Sequence, residues 1–302
     1  MPTFDLRIAA ISARTDNVFT RFDVLACGGS DRAIVVRLAA GRWRQLHPGV
    51  YLLGAAAPTW HQLVRAGVLA AGEDAQASHR CALVLWGADG IVAAPVEVVV
   101  PYDDRPEPRG VIVHRSRRVE PVSVVGGIPV SSVERTLLES GTCTPPVVTE
   151  KAFAWAWRRN LTSPAKCEAY LEHHGGRGRR GTRRLREVVA LYAGGGRPPG
   201  SDGEVVFLRC LRDAGIEEPV RQLAIDLPGG RKATADFAWP ERRKLVEFVG
   251  LEVHADSRAH AADTLREDDI QSVGWQLRRF APSTLRRDPE DVARRVVRFL
   301  FL

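Results

Sequence analysis

Residues 233–250 read ATADFAWPERRKLVEFVG, two apolar runs separated by a proline-containing turn. Each run has the length and the aromatic or β-branched content that are typical of a buried strand. Asp236 falls in the middle of the first strand and Glu247 in the middle of the second. A carboxylate inside an apolar strand costs free energy unless it is paired or binds a cation, so both acids are candidate metal ligands.

The segments on both sides extend this hairpin to a unit that begins after the glycine- and proline-rich residues 194–200. The predicted order is α-β-β-β-α-β-α, with helices at 202–215, 258–273 and 289–300 and strands at 221–227, 233–239, 244–249 and 275–280. Glu204 on the first helix is a third candidate oxygen ligand. Three converging carboxylates suit Mg²⁺, which prefers oxygen ligands and activates water.

The sequence from Glu247 onward carries a set of residues in a recognisable order: Glu247, Gly250, His254, Asp263, Arg266 and Gly274-Trp275. With the order of elements, this set resembles the very-short-patch-repair (Vsr-like) branch of the PD-(D/E)xK restriction-endonuclease-like superfamily over residues 201–300. The resemblance implies a Mg²⁺-dependent DNA endonuclease. Its site would consist of Glu204, Asp236 and Glu247 as metal ligands, Asp236, Glu247 and His254 as catalytic residues, and Asp263 and Arg266 as supporting residues.

Val249 departs from that family pattern. Side chains at i and i+2 share one face of a strand, so Glu247 and the residue at 249 should point at the same metal and phosphate. Valine binds no metal and polarises no water, and loss of one such stabilising group commonly costs a factor of about 10² to 10³ in rate. The domain is therefore either an inactive DNA-binding form or an enzyme in which His254 or Glu252 compensates.

Residues 1–55 are predicted to form three short helices and a hairpin. The helices cover 4–14, 21–26 and 31–40, and strands at 42–46 and 50–53 flank the turn His47-Pro48-Gly49. A helix-turn-helix places its second helix in the major groove of DNA, with a basic hairpin beside it as a wing. The expected DNA contacts are Arg32, Arg37, Arg42, Arg44 and His47. A packing module with solvated arginines is the alternative.

Two segments, GRWRQLHPGVY (41–51) and GIPVSSVERTLLE (127–139), resemble the winged-helix and middle regions of AbiEi-like type IV antitoxins. This resemblance covers about residues 1–190. It implies binding to double-stranded DNA and transcriptional autorepression beside a toxin gene, with the cognate toxin as a possible partner. A protein–protein module that neutralises the toxin is a further alternative.

The chain of 302 residues is long enough for two or three domains. We expect a multidomain α+β protein with a winged helix-turn-helix domain (1–58), a middle α/β domain (59–193), a linker (194–200) and a restriction-endonuclease-like α-βββ-αβ-α domain (201–302). Residues 1–200 hold 26 basic and 18 acidic side chains, against 17 and 18 in residues 201–302. The positive excess therefore lies outside the C-terminal third of the chain, and arginine side chains suit phosphate contacts.

Five scattered cysteines without a CxxC pair predict free thiols, with no disulfide framework and no zinc ribbon. No run of about 18 apolar residues appears, so we expect no membrane span. The N-terminal residues do not have the pattern of a signal peptide. Together these features favour a cytoplasmic protein, with Mg²⁺ as cofactor if the C-terminal domain is active.

Overall fold

The computed structural model describes residues 3–92, 95–117, 122–176, 179–193, 197–248 and 257–302, and for residues 257–264 it describes the backbone alone. Within these ranges the protein is a mixed α/β structure with three sheets, which confirms the predicted mixture of helices and strands. The chain divides into two compact units, residues 1–152 with 166–187 and residues 153–165 with 188–302. This division does not follow the boundaries expected at 58/59 and 194–200. None of the helices in the described ranges is both long enough and apolar enough to traverse a lipid bilayer.

The N-terminal region combines three helices with a small antiparallel sheet. Its elements are α1 (Phe4–Ser12), β1 (Val18–Thr20), α2 (Arg21–Ala26), α3 (Asp31–Ala39), β2 (Trp43–His47) and β3 (Val50–Leu53). Strand β3 lies between β1 and β2 and pairs antiparallel with both. The three predicted helices and the hairpin are confirmed, whereas β1 is too short to show an alternating pattern in the sequence.

The turn between α2 and α3 depends on two glycines. Gly28 has φ +85°, a left-handed conformation that side chains disfavour. A Cβ added at Gly29 would lie 2.5 Å from the Phe4 ring and 2.7 Å from Val24 Cγ1, so this close approach leaves no room for a side chain. Ser30 then caps α3, because its hydroxyl accepts a hydrogen bond from the Ala33 N–H at 3.2 Å.

The middle region builds a five-stranded sheet from short strands. Its elements are α4 (Trp60–Ala71), β4 (Gln76–Ala77), α5 (His79–Trp86), β5 (Val96–Pro101), β6 (Val111–Ser116), β7 (Ser123–Val125), β8 (Ile128–Val130) and α6 (Val133–Ser140), followed by α7 (Pro146–Arg158), α8 (Pro164–His174) and α9 (Thr182–Ala190). The strand order is β6-β5-β4-β8-β7, and β5 and β6 are parallel. Strands β4, β7 and β8 were not predicted, because two or three residues give no periodicity.

Arg65 of α4 joins the N-terminal region to the middle region. Its guanidinium donates to Asp16 Oδ2 at 2.8 and 3.1 Å. It also donates to the carbonyl oxygens of Gly126 at 2.6 Å and Gly127 at 2.8 Å. Next along α4, Ala66 packs against the buried side chains Val18, Val50 and Leu52 of the first sheet. The two regions therefore share both an apolar contact and a buried cation.

The C-terminal region folds around a four-stranded mixed sheet. Its elements are α10 (Asp202–Asp213), β9 (Val220–Asp226), β10 (Lys232–Trp239), β11 (Lys244–Phe248), α11 (Ser257–Ser272), β12 (Gln276–Phe280), α12 (Pro282–Arg287) and α13 (Pro289–Phe301). The strand order is β12-β11-β10-β9, with β11 and β12 parallel and the other pairs antiparallel. The predicted order of elements is confirmed, with the short α12 added. Phe207 packs against Phe237 and Phe248, which anchors α10 on the sheet.

Candidate nucleic-acid interface and candidate carboxylate site

Arg32 and Arg42 are the most accessible of the expected DNA contacts. Arg32 lies in the first turn of α3 and Arg42 directly precedes β2, and both are exposed. Among the described residues, neither side chain has a hydrogen-bond or ion-pair partner. Arg44 on β2 is also exposed, and its Nη2 donates to the carbonyl oxygen of Ala55 at 2.9 Å. These three guanidinium groups are placed to meet an anionic ligand.

Arg37 does not face solvent as a DNA contact would, because other side chains of the protein surround it, and its contact with DNA stays a prediction. Its Nε and Nη2 donate to the Asp5 carboxylate at 2.8 and 2.9 Å. The guanidinium carbon lies 4.7 Å from the ring centroid of Phe4 and 5.3 Å from that of Trp43. The side chain is 17% exposed. Arg37 therefore holds α3 against α1, because a bidentate carboxylate partner and two aromatic faces occupy its fork.

His47 is buried, which also contradicts its predicted role as an exposed contact. Burial lowers the pKa of the imidazole, because the charged form would lose its hydration. Its Nδ1 has no hydrogen-bond partner among the described residues. A neutral side chain inside the fold offers no charge to a phosphate, so His47 belongs to the interior of the hairpin.

An ion pair neutralises the one carboxylate of α3. Arg21 Nε and Nη2 donate to the two oxygens of Asp31, each at 2.7 Å. The hydrogen bond and the attraction raise the pKa of Arg21, and the same hydrogen bond lowers the pKa of Asp31. The negative charge next to Arg32 is thereby paired within the protein, which reduces its repulsion of a phosphate.

Asp236 is half-buried near the middle of β10 and is bound by the protein. Its Oδ1 accepts a hydrogen bond from Gln222 Nε2 at 3.0 Å, and its Oδ2 accepts one from the backbone N–H of Phe248 at 2.9 Å. Gln222 has φ +52°, an uncommon value for a side chain other than glycine. Both oxygens of this predicted metal ligand therefore have donors.

Glu204 is buried at the first turn of α10. Its carboxylate accepts hydrogen bonds from the Gly200 N–H at 2.8 Å and from the Ser201 hydroxyl at 3.1 Å. Burial raises the pKa of Glu204, and the nearby Asp236 carboxylate adds to this rise, while the hydrogen bond from Gly200 opposes it. The electrostatic influence indicates that Glu204 and Asp236 are neighbours.

Glu247 is buried on β11 and is bound by two arginines. Arg266 Nη2 and Nη1 donate to its two oxygens at 2.6 and 3.1 Å. Arg279, its partner residue on β12, places Nε 3.5 Å from Oε2. Arg266 also donates to the carbonyl oxygen of Thr234 at 3.1 Å. The positive charge next to Glu247 is thus supplied by the protein itself.

The three predicted carboxylate ligands do not converge in this structure. Among the described residues, Glu204, Asp236 and Glu247 do not belong to any group of three or more ligand-type side chains whose donor atoms lie within 4.8 Å of one another. The metal site formed by these three acids therefore stays a prediction. His254 and Val249 lie outside the described residues, as does the side chain of Asp263, so their predicted roles also stay predictions.

A different cluster, which the sequence did not reveal, lies in the middle region. His79, Glu97 and His114 have ligand atoms within 4.8 Å of one another. His114 Nε2 lies 3.0 Å from Glu97 Oε2, and the rings of His79 and His114 stack with centroids 3.5 Å apart. Burial, helped by His114, lowers the pKa of His79 to about 3, so this imidazole is neutral at pH 7.

No protein-family model matches the chain. Two relatives from two strains of Mycobacterium tuberculosis, Uncharacterized protein MT2308 and Uncharacterized protein Rv2248, are each 32% identical to it over 124 residues. The aligned part is 41% of this chain and 45% of each relative, so the chain spans less than half the length of the relatives it matches. Neither name states an activity.

Among solved structures, the chain is similar to the RV2827C protein from Mycobacterium tuberculosis, known from a crystal structure. The two share 16% sequence identity and superpose with a TM-score of 0.42. The match covers 76% of this chain and 90% of that protein.

Proposed function

We propose that this protein binds duplex DNA through its N-terminal region and acts as an antitoxin-like transcriptional regulator. Two arginines carry the proposal, Arg32 at the beginning of α3 and Arg42 just beyond its end. Both are exposed, and neither side chain has a partner among the described residues. Residues in the first turns of a recognition helix are those that reach base edges in helix-turn-helix proteins.

The arrangement of the elements supports the same proposal. Helices α2 and α3 are joined by a short glycine turn, and the β2–β3 hairpin follows α3 directly. This is the arrangement expected of a winged helix-turn-helix, in which α3 would enter the major groove and the hairpin would form the wing. Arg44 lies on that hairpin and would contact the phosphate backbone.

The test is duplex binding by the full chain and two matched variants, measured by fluorescence anisotropy over a range of salt concentrations. The probes are DNA from upstream of the protein's own coding sequence and a scrambled duplex of equal length. Arg32→Ala/Arg42→Ala should weaken binding and reduce the slope of log affinity against log salt by about 0.9 for each phosphate that the arginines no longer neutralise. Arg105→Ala/Arg109→Ala removes the same charge from exposed positions of the middle region and should leave both quantities unchanged.

Two outcomes would contradict the proposal. If the wild-type chain binds neither duplex, the N-terminal region is not a DNA-binding domain. If both double variants weaken binding equally, general positive charge rather than the α3 region accounts for it.

A Mg²⁺-dependent DNA endonuclease of the PD-(D/E)xK type is the second candidate. The acids Glu204 and Asp236 favour it, because the Asp236 carboxylate contributes to the raised pKa of Glu204 and carboxylate oxygens are the ligands that Mg²⁺ prefers. The two arginines on Glu247 argue against it, because they supply the charge that a metal would supply. The residues therefore fit a Mg²⁺ ion only in part.

Cleavage of supercoiled plasmid tests this second candidate. If it is correct, cleavage requires Mg²⁺, disappears in Asp236→Asn and survives in Asp226→Asn, an exposed acid on the same sheet. Cleavage that survives both changes would point to a contaminating nuclease. No cleavage by the wild type would exclude the enzyme and leave the DNA-binding proposal untouched.

A further inference from the structure

The cluster of His79, Glu97 and His114 is assembled by three separate elements of the middle region. His79 is the first residue of α5, Glu97 lies on β5 and His114 lies on the parallel neighbour β6. The register pairs Val99 with His114, and residues 97 and 99 share one face of β5, so Glu97 and His114 project to the same side of the sheet. The side chains meet because of this pairing.

The burial of the cluster is unusual for its residue types. Glu97 is 6% exposed and His79 is 7% exposed. A buried carboxylate costs free energy unless a partner compensates it, and buried charges are commonly paired or bound to metals. His79 also has φ +53°, a conformation that is uncommon outside glycine and that clusters at functional sites. Both costs are accounted for if the three side chains bind a common cation.

A second layer of polar groups orients His79. Its Nδ1 lies 3.0 Å from the Ser78 hydroxyl and 3.8 Å from Glu139 Oε2. Glu139 is itself fixed by hydrogen bonds from Arg135 Nε at 2.7 Å and from the Ser131 hydroxyl at 3.3 Å. In metal sites the second ring nitrogen of a histidine ligand usually faces a carboxylate or another polar group, which leaves the first nitrogen for the metal. The Nδ1 surroundings of His79 fit that role and leave Nε2 as the ligand atom.

We infer that His79, Glu97 and His114 form a binding site for one divalent transition-metal ion, with Zn²⁺ as the best match. Two imidazoles and one carboxylate are a donor set that suits Zn²⁺ and leaves a fourth position for water or a ligand. Mg²⁺ prefers oxygen ligands and does not fit. His114 is only half-buried, so the ion has a route from solvent. Binding must tilt the stacked rings apart, because each nitrogen directs its lone pair in the plane of its own ring.

The site is independent of DNA binding, because none of its residues belongs to α3 or the β2–β3 hairpin. Its test is a Zn²⁺ titration of the full, untagged, metal-depleted chain in competition with a chromophoric chelator. We expect one ion per chain and a rise in melting temperature on Zn²⁺ addition. His61→Ala changes an exposed histidine of α4 and is the matched control, which should bind as the wild type does.

Three variants probe the site. Glu139→Gln should weaken Zn²⁺ binding about 10–100-fold through the loss of the outer carboxylate. His114→Ala and Glu97→Gln each remove a direct ligand, so they should weaken binding at least as much and abolish the rise in melting temperature. Circular dichroism checks the fold of each variant. Glu97→Gln keeps the size of the side chain, so it still tests whether this cluster binds Zn²⁺ if His114→Ala does not fold.

Substitution with Co²⁺ distinguishes the ligands, because sulfur ligation produces a thiolate-to-metal absorption that nitrogen and oxygen ligands lack. The expected spectrum has no such absorption. Its presence would assign the ion to cysteines and overturn the inference. Absence of Zn²⁺ binding by the wild type, or unchanged binding in both Glu97→Gln and His114→Ala, would overturn it as well.

Discussion

The N-terminal region leaves two of its charged candidate residues exposed, whereas the C-terminal region binds its three candidate acids within the protein. Arg32 and Arg42 face solvent and have no side-chain partner among the described residues. In the C-terminal region, the oxygens of Asp236, Glu204 and Glu247 accept hydrogen bonds from the protein itself. The type and spacing of a charged residue therefore do not decide whether it is available to a ligand. Its neighbours in the fold decide that.

The largest expected effect concerns Glu247. Glu247→Ala should lower the free energy of unfolding by about 3 kcal/mol, because it removes the buried carboxylate that pairs with Arg266 and Arg279. The low end of the usual range applies, since Arg266 is 33% exposed. Chemical denaturation measures the change, with the exposed Glu241→Ala as control. A loss below about 1 kcal/mol would mean that Glu247 does not stabilise the fold, and would contradict the difference drawn between the two regions.

A smaller effect separates Arg37 from Arg32 on the same helix. Arg37→Ala should cost about 1–2 kcal/mol of stability, because it removes a bidentate carboxylate contact and two aromatic contacts. Arg32→Ala should change stability by less than about 0.5 kcal/mol, as most surface substitutions do. For DNA affinity, measured below the melting temperature of each variant, Arg32→Ala should cause the larger loss. Thermal melts and anisotropy on the same samples check both, and equal stability losses would contradict the assignment of Arg37 to the fold.

The smallest effect is a pH dependence at Glu204. Its pKa in the folded chain is raised above the ordinary value of 4.5, so the folded state binds more protons than the unfolded state in the range just above that pH. Stability contributed at this position therefore falls as pH rises from about 4.5 through the folded pKa. Glu204→Gln should lack this component. Denaturant titrations of both chains across pH 4 to 8 measure the difference, and parallel curves would show that the carboxyl is not perturbed.

Local chemistry made the N-terminal helices and the C-terminal order of elements predictable. The Gly28-Gly29-Ser30 turn ends one helix and caps the next, and the apolar runs around Asp236 and Glu247 form the predicted strands. Each of these signals lies within a few residues of the structure that it determines, so no long-range contact was needed to find it.

The partners of the candidate residues could not be predicted, because they come from distant parts of the chain. Arg37 is held by Asp5, 32 residues earlier, and Glu247 is held by Arg266, 19 residues later. The cluster at Glu97 had one usable signal. It is an acid inside the apolar run VEVVV, and the reasoning applied to Asp236 and Glu247 would also have selected it.

The contacts of Arg65 bear on how this protein should be dissected. A fragment cut at residue 58 would leave Val18, Val50 and Leu52 without Ala66 and would expose their apolar surface to water. It would also strip Asp16 of its cation. A fragment made to test DNA binding should therefore extend through the β7–β8 hairpin, because the carbonyl oxygens of Gly126 and Gly127 accept hydrogen bonds from the Arg65 guanidinium.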